Sequence, residues 1–208
     1  MESLADIFNR IGDFGEVDSG HNDKGSTHSY IETYERLLAP YRDAGRILEI
    51  GLANGKSIEL WSEYFGPDAR IVGMDISVVF DPSKFDSRVK IIEADATKQS
   101  CLEKLGDETF DVIIDDGSHM QADQETTFRL LSHRMRPDGI YIIEDILDLE
   151  TSGPRLKIMH WNSEVIDLRK VKGRFDDVLL VYRFVDIPMH TEAELNAYLF
   201  NAREDFEK

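Results

Sequence analysis

Five short apolar runs in the middle of this chain each end in a carboxylate. Arg46 to Ile50 contains Glu49 and opens into a glycine loop, and Ile71 to Met74 stops at Asp75. Val89 to Ile92 stops near Glu93 and Asp95, and Val112 to Ile114 at Asp115 and Asp116. Ile140 to Ile143 stops at Glu144 and Asp145. Helical stretches lie between them, such as 56–65, which offers Ile58, Leu60, Trp61 and Phe65 for packing, and 121–135. Strands alternating with helices imply an α/β fold with a parallel sheet and right-handed crossovers. Parallel strands share a direction, so their terminal acids gather on one edge. That is the edge where open α/β sheets bind ligands.

The densest of these strand ends is Phe110 to His119, FDVIIDDGSH. Gly117 is expected to turn the chain sharply, and Ser118-His-Met-Gln121 reads as a capping box opening the next helix. Two acids and His119 are thereby held on the ligand edge. His119 reads either as a catalytic group or as a plain first-turn helix residue bonded to a neighbour. Its place three residues after Asp116 favours catalysis.

At 208 residues and 41% apolar content, the chain is read as one domain with a real core. The parts are an N-terminal helical or lid segment (1–43), a core (44–185) and a C-terminal helix (186–208). A net charge of −17 argues against nucleic acid or an anionic membrane as partner. No run of 18 apolar residues and no basic-then-apolar leader is present, so a cytoplasmic protein is expected. The single cysteine, Cys101, cannot form an internal disulfide and is read as structural.

Near the amino end, Leu4, Ile7, Phe8 and Ile11 fall at helical spacing. Their face can meet the core or a second subunit, which leaves a homo-oligomer open. A Gly-, Asp- and Asn-rich loop, 12–25, leads into Asp23-Lys-Gly-Ser-Thr-His28-Ser-Tyr30 and a helix through Leu38 that Pro40 closes. Lys24, His28 and Tyr30 can form a lid or touch an acceptor; an ordinary helix start explains them equally well. After Asp145 the chain reads as a loop (147–154), a short helix (155–161) and two strands, 165–168 and 178–184. Lys172-Gly-Arg174 suggests a turn, so this pair is expected to be antiparallel. Thr191-Glu-Ala-Glu194 is a capping box for a final helix. Tyr141 and Trp161 are expected in the core.

The glycine loop narrows the ligand. A dinucleotide fold wants G-x-G-x-x-G, whose backbone N–H groups meet a pyrophosphate. Here the pattern is Glu49-x-Gly51-x-x-x-Gly55, with an acid that would repel pyrophosphate and suit a positive centre. Asp75 stands where such folds place the acid that binds ribose hydroxyls. Asp95-Ala96 can reach an adenine. Adenosine without phosphate, carrying ammonium and sulfonium charges, describes S-adenosylmethionine.

With these residues the chain resembles the class I S-adenosylmethionine-dependent methyltransferases over roughly 44–185. The resemblance implies a Rossmann-like, doubly wound, seven-stranded sheet, mostly parallel with an antiparallel last strand and helices on both faces. It carries cofactor contacts to Glu49, Gly51, Asn54, Gly55, Ser57, Asp75, Asp95, Ala96 and Asp115. Ser57 is implied at the methionine carboxylate. More narrowly, IIDDGSH, IIED at 142–145 and DKGSTHSY resemble the metal-dependent sugar O-methyltransferases of the macrolide deoxysugar, rhamnosyl and polysaccharide group. That resemblance implies a divalent cation on Asp116, Glu144 and Asp145, with His119 as general base. Physics favours a cation as well, because three converging carboxylates repel or take up protons unless a positive charge joins them. Oxygen ligands select a hard ion, Mg²⁺ first, with Mn²⁺ or Ca²⁺ as alternatives.

The expected reaction is methyl transfer to a sugar or glycoside hydroxyl. The alternatives are a catechol or other small natural product as acceptor, a non-catalytic S-adenosylmethionine-binding protein, and, more remotely, a nicotinamide-dependent reductase. One departure from the family stands out: Ile146 to Gly153, ILDLETSG, replaces the polar stretch that usually follows the paired acids. That loop should shape the acceptor pocket.

Overall fold

The computed structural model describes residues 2–11, 23–43 and 45–185. The expected C-terminal helix and most of the 12–25 loop lie outside the described residues. Seven strands form one sheet: β1 (Arg46–Ile50), β2 (Arg70–Asp75), β3 (Val89–Glu93), β4 (Phe110–Asp115), β5 (Met135–Ile143), β6 (Ser163–Asp167) and β7 (Val178–Phe184), in the order β3-β2-β1-β4-β5-β7-β6. The first five are parallel, while β7 runs antiparallel to both β5 and β6. The antiparallel pairing expected after residue 164 is present. The strand order reverses between β1 and β4, so the loops after these two strands face each other across a crevice.

Period-two alternation assigns the sheet's side chains to two cores. Ile47, Ile71, Val112, Ile114, Ile140, Ile142 and Val181 face one side, against α1 (Leu4–Ile11), α3 (Ile31–Leu38) and α4 (Lys56–Tyr64). Leu48, Val72, Met74, Ile113, Tyr141, Ile143 and Leu180 face the other, against α5 (Ser100–Leu105), α6 (Gln121–Leu131) and α7 (Ser152–Lys157). Leu4 and Ile7 of α1 are buried in the first core. Two short helices, α2 (Asp23–Ser26) and α8 (Arg169–Lys172), and three single 3₁₀ turns complete the described elements. Among the described residues, no helix is long and apolar enough to cross a membrane.

Several local expectations change in the fold. Arg136-Pro-Asp-Gly139 lies within β5, where the pairing with β4 jumps from Met135 to Ile140, and Asp138 takes a left-handed φ of 62°. The short helix after Asp145 spans 152–157 rather than 155–161. Trp161 is 44% exposed, whereas Tyr141 is fully buried as expected. Cys101 is buried and unpaired. The capping box at Ser118 does not form. Helix α6 starts at Gln121 with Met120 as an extended N-cap, and the Ser118 hydroxyl donates to Asp123 instead. Gly117 bends the chain as expected, and His119, two residues on, adds a left-handed φ of 60°.

Candidate active site

The crevice between the ends of β1 and β4 holds two hollows. One, of about 430 Å³, is lined by Gly51, Asp75, Asp95, Ala96, Asp115 and Gln124, among others. The second, of about 280 Å³, is lined by Asn54, Ser57, Asp116 and His119. Gly51, Asp75 and Gly117 belong to both, so the two hollows share a wall.

Backbone conformation shapes the first hollow. Gly51 has a φ of 83°, and a Cβ there would stand 1.9 Å from the Asp116 carbonyl oxygen, so only glycine fits. Asp75 holds the loop in place: one carboxylate oxygen accepts from the N–H groups of Leu52 and Ala53 at 2.6 and 3.2 Å, and the other accepts from Ser77 at 2.9 Å. Asp95 accepts from the backbone and hydroxyl of Thr97, which hold its carboxyl below the usual range. Asn54 accepts from the N–H of Lys56 at the start of α4, and Gly55 caps that helix in a left-handed conformation. Ser57 donates to Glu49 at 2.7 Å. Glu49 is wholly buried, its carboxyl raised by burial, and its second oxygen has no hydrogen-bond partner. Asp115 is pushed up to about 7 by burial.

Around the second hollow the charges are concentrated. His119 Nε2 lies 3.0 Å from Asp116 Oδ1, and its Nδ1 lies 3.6 Å from Asp145 Oδ2. Burial works against the imidazolium. The hydrogen bond with Asp116 and the charges of Asp116 and Asp145 outweigh it and push His119 up to about 9. Burial would also raise Asp116, but Lys24 and His119 hold it below its ordinary value. Glu144 is raised well above normal by burial and by the neighbouring Asp116, and Asp145 is raised by burial. Both His119 and Asp145 adopt left-handed backbone, at φ of 60° and 54°. Such strain in non-glycine residues collects at functional sites.

The N-terminal segment supplies the site's floor. Lys24 is fully buried; its ammonium lies 2.6 Å from Asp116 Oδ2, 2.5 Å from Glu144 Oε1 and 3.5 Å from Glu49 Oε1. The Tyr30 hydroxyl donates to Asp145 at 2.6 Å, and His28 stacks on the Tyr30 ring beside Asp145 and Asp177. So Lys24, His28 and Tyr30 are brought to the acids, with their side chains turned inward. Sequence reading missed Tyr34, whose hydroxyl donates to Glu144 Oε1 at 2.6 Å, and Gln124, which donates to the Glu144 carbonyl. The available signal was spacing: Tyr30 and Tyr34 stand four residues apart, on one helix face.

The donor set suits a hard divalent cation. Asp116, His119 and Asp145 each offer one ligand atom, and these atoms lie within 4.8 Å of one another. Glu144, the third expected acid, turns Oε1 to Lys24 and Tyr34. Glu49 keeps a buried oxygen that no hydrogen bond reaches, with the Lys24 ammonium 3.5 Å away.

Residues 48–146, which span these strand ends, match the family described as "Methyltransferase domain". Over that stretch the chain is similar to methyltransferase domains. Its domain is 36% identical over 136 residues to the 8-demethyl-8-alpha-L-rhamnosyl tetracenomycin-C 2'-O-methyltransferase of Streptomyces olivaceus, covering 60% of this chain and 35% of that protein. It is 33% identical over 156 residues to the Mycinamicin VI 2''-O-methyltransferase of Micromonospora griseorubida, covering 69% and 38%. The chain therefore spans little more than a third of the length of these curated relatives. Among solved structures, the MycE methyltransferase of the mycinamycin pathway, in complex with Mg and SAH, superposes with a TM-score of 0.64 at 26% identity. That match covers 91% of this chain and 56% of the other. A second MycE complex, with Mg, SAH and mycinamycin VI, gives 0.67 at 23% identity and shares the fold.

Proposed function

We propose that this methyltransferase transfers the methyl group of S-adenosylmethionine to a hydroxyl of a sugar or glycoside, assisted by a divalent cation. The observation that carries the reading is the convergence of Asp116, His119 and Asp145 beside the hollow walled by Gly51 and Asp75. The curated relatives named above as rhamnosyl and mycinamicin O-methyltransferases support the acceptor class.

The first hollow takes the methyl donor. Gly51 lets the chain pass close to it, Asp75 faces the ribose, and Asp95 with Ala96 borders the adenine. Asp116, Glu144 and Asp145 are the proposed cation ligands. A hard divalent cation bound there would stabilise the acceptor's developing alkoxide and offset the field of Asp116 and Asp145 on His119. His119 takes the hydroxyl proton as general base. The acceptor oxygen forms a bond to the methyl carbon while the carbon–sulfur bond breaks, its electron pair returning to sulfur. The fold contributes mainly alignment of oxygen, methyl carbon and sulfur.

The test is a methyl-transfer assay with S-adenosylmethionine against deoxysugar glycosides and catechols, run with and without EDTA. Methylated glycoside that forms only with Mg²⁺ or Mn²⁺ is expected. Full activity after chelation, or methylation of catechols alone, overturns the reading.

A further inference from the structure

We infer that Lys24 is a positioning residue of the carboxylate cluster, a tethered cation that shares Asp116 and Glu144 with the divalent ion and thereby limits how tightly that ion is held. This rests on the cation reading above. The ammonium is within hydrogen-bond reach of Asp116 Oδ2 and Glu144 Oε1, two of the acids proposed as ligands. It has no exposure to solvent, so it cannot leave these acids without becoming a buried charge that has lost close partners.

Its location is imposed from outside the site. Lys172 Nζ binds the carbonyls of Gly25, Ser26 and His28, fixing the backbone that carries Lys24. The Ser29 N–H donates to Asp177 at 3.0 Å, and Tyr30 anchors the next turn on Asp145. The lysine is thus delivered to the ends of β1, β4 and β5 at once, through Glu49, Asp116 and Glu144. Bonding to the ammonium orients the acids. It also uses their lone pairs and places a like charge beside any incoming cation, which weakens that cation's binding. Loss of a merely structural lysine would disorder the acids and weaken metal binding. Loss of a competing charge would strengthen it. The sign of the effect separates the two.

The experiment is Mn²⁺ titration of the full chain, by calorimetry or by the electron paramagnetic resonance of free Mn²⁺. The variants are Lys24→Met, which keeps the length of the side chain, and Lys24→Gln, which keeps a hydrogen-bond donor. Lys90→Met is the control: it removes the same charge from the exposed Lys90–Glu108 pair. Both Lys24 variants are expected to bind Mn²⁺ at least tenfold more tightly and to show a larger Mn²⁺-induced rise in Tm, with Lys90→Met within twofold of the parent. A Lys24 variant that folds only when Mn²⁺ is supplied carries the same conclusion. Equal or weaker Mn²⁺ binding in both, or failure of both to fold even with Mn²⁺, overturns the role of Lys24. A parent chain that binds no Mn²⁺, or whose affinity ignores Asp116→Asn and Asp145→Asn, instead overturns the cation reading beneath it.

Discussion

Gly51 and Asp116 meet backbone to backbone: a Cβ on Gly51 would stand 1.9 Å from the Asp116 carbonyl oxygen. The loop after β1 and the acid after β4 are therefore pressed together at the reversal of strand order, with Asp116 N–H bonded to the Ile50 carbonyl at 2.9 Å. This contact joins the proposed methyl-donor hollow to the proposed catalytic acids.

Gly51→Ala has two faults, a left-handed φ and a clash with backbone that cannot swing aside. It is expected to cost at least about 2 kcal/mol of stability. Denaturant unfolding measures this, and an unchanged midpoint would mean that the loop and β4 separate easily.

Asp75→Asn leaves one acceptor oxygen where three backbone N–H groups now bind two. The loop of Leu52 and Ala53 should loosen. Affinity for S-adenosylhomocysteine should fall about tenfold, about 1.4 kcal/mol. Calorimetric titration checks it.

His119→Ala removes the proposed base while leaving the first hollow intact. Turnover should drop by roughly 10² to 10⁴. S-adenosylhomocysteine binding should stay within about threefold, because His119 lines only the second hollow. Turnover close to that of the parent chain would remove His119 from the mechanism.

Tyr34→Phe deletes one of two donors to the buried oxygen Oε1 of Glu144. A hydrogen bond to a charged, buried acceptor contributes about 1.5–3 kcal/mol, so a comparable loss is expected in denaturant titration. Saturating Mn²⁺ should recover part of it, since a ligand of the native state stabilises that state.

Much of this molecule is legible in its sequence, because strand direction and side-chain period are local properties. The apolar runs ending at Glu49, Asp75, Asp95, Asp115 and Glu144 specify parallel strands and put their acids on one edge. The break before Val178 marks the antiparallel strand. The two-glycine loop with its internal acid specifies a ligand without pyrophosphate. Turn geometry was read less well. The bend at Gly117 is present, but nothing local announces the positive φ of His119, and the Ser118 hydroxyl donates to Asp123 without building the expected capping box.

What the tertiary structure alone decided is which charges face one another. Lys24 and Glu144 are separated by 120 residues, and Tyr34 and Glu144 by 110, so no periodicity or motif spacing predicts those pairs. They meet because α3 packs on one face of the sheet while β5 lies beside β4, which brings the N-terminal segment under the strand ends. Burial then acts on the charges. Out of water, an ammonium and several carboxylates stay ionised only where they find one another. The sequence determined that acids would line one edge. The packing of a distant lysine and two tyrosines beneath them decided how those acids are held.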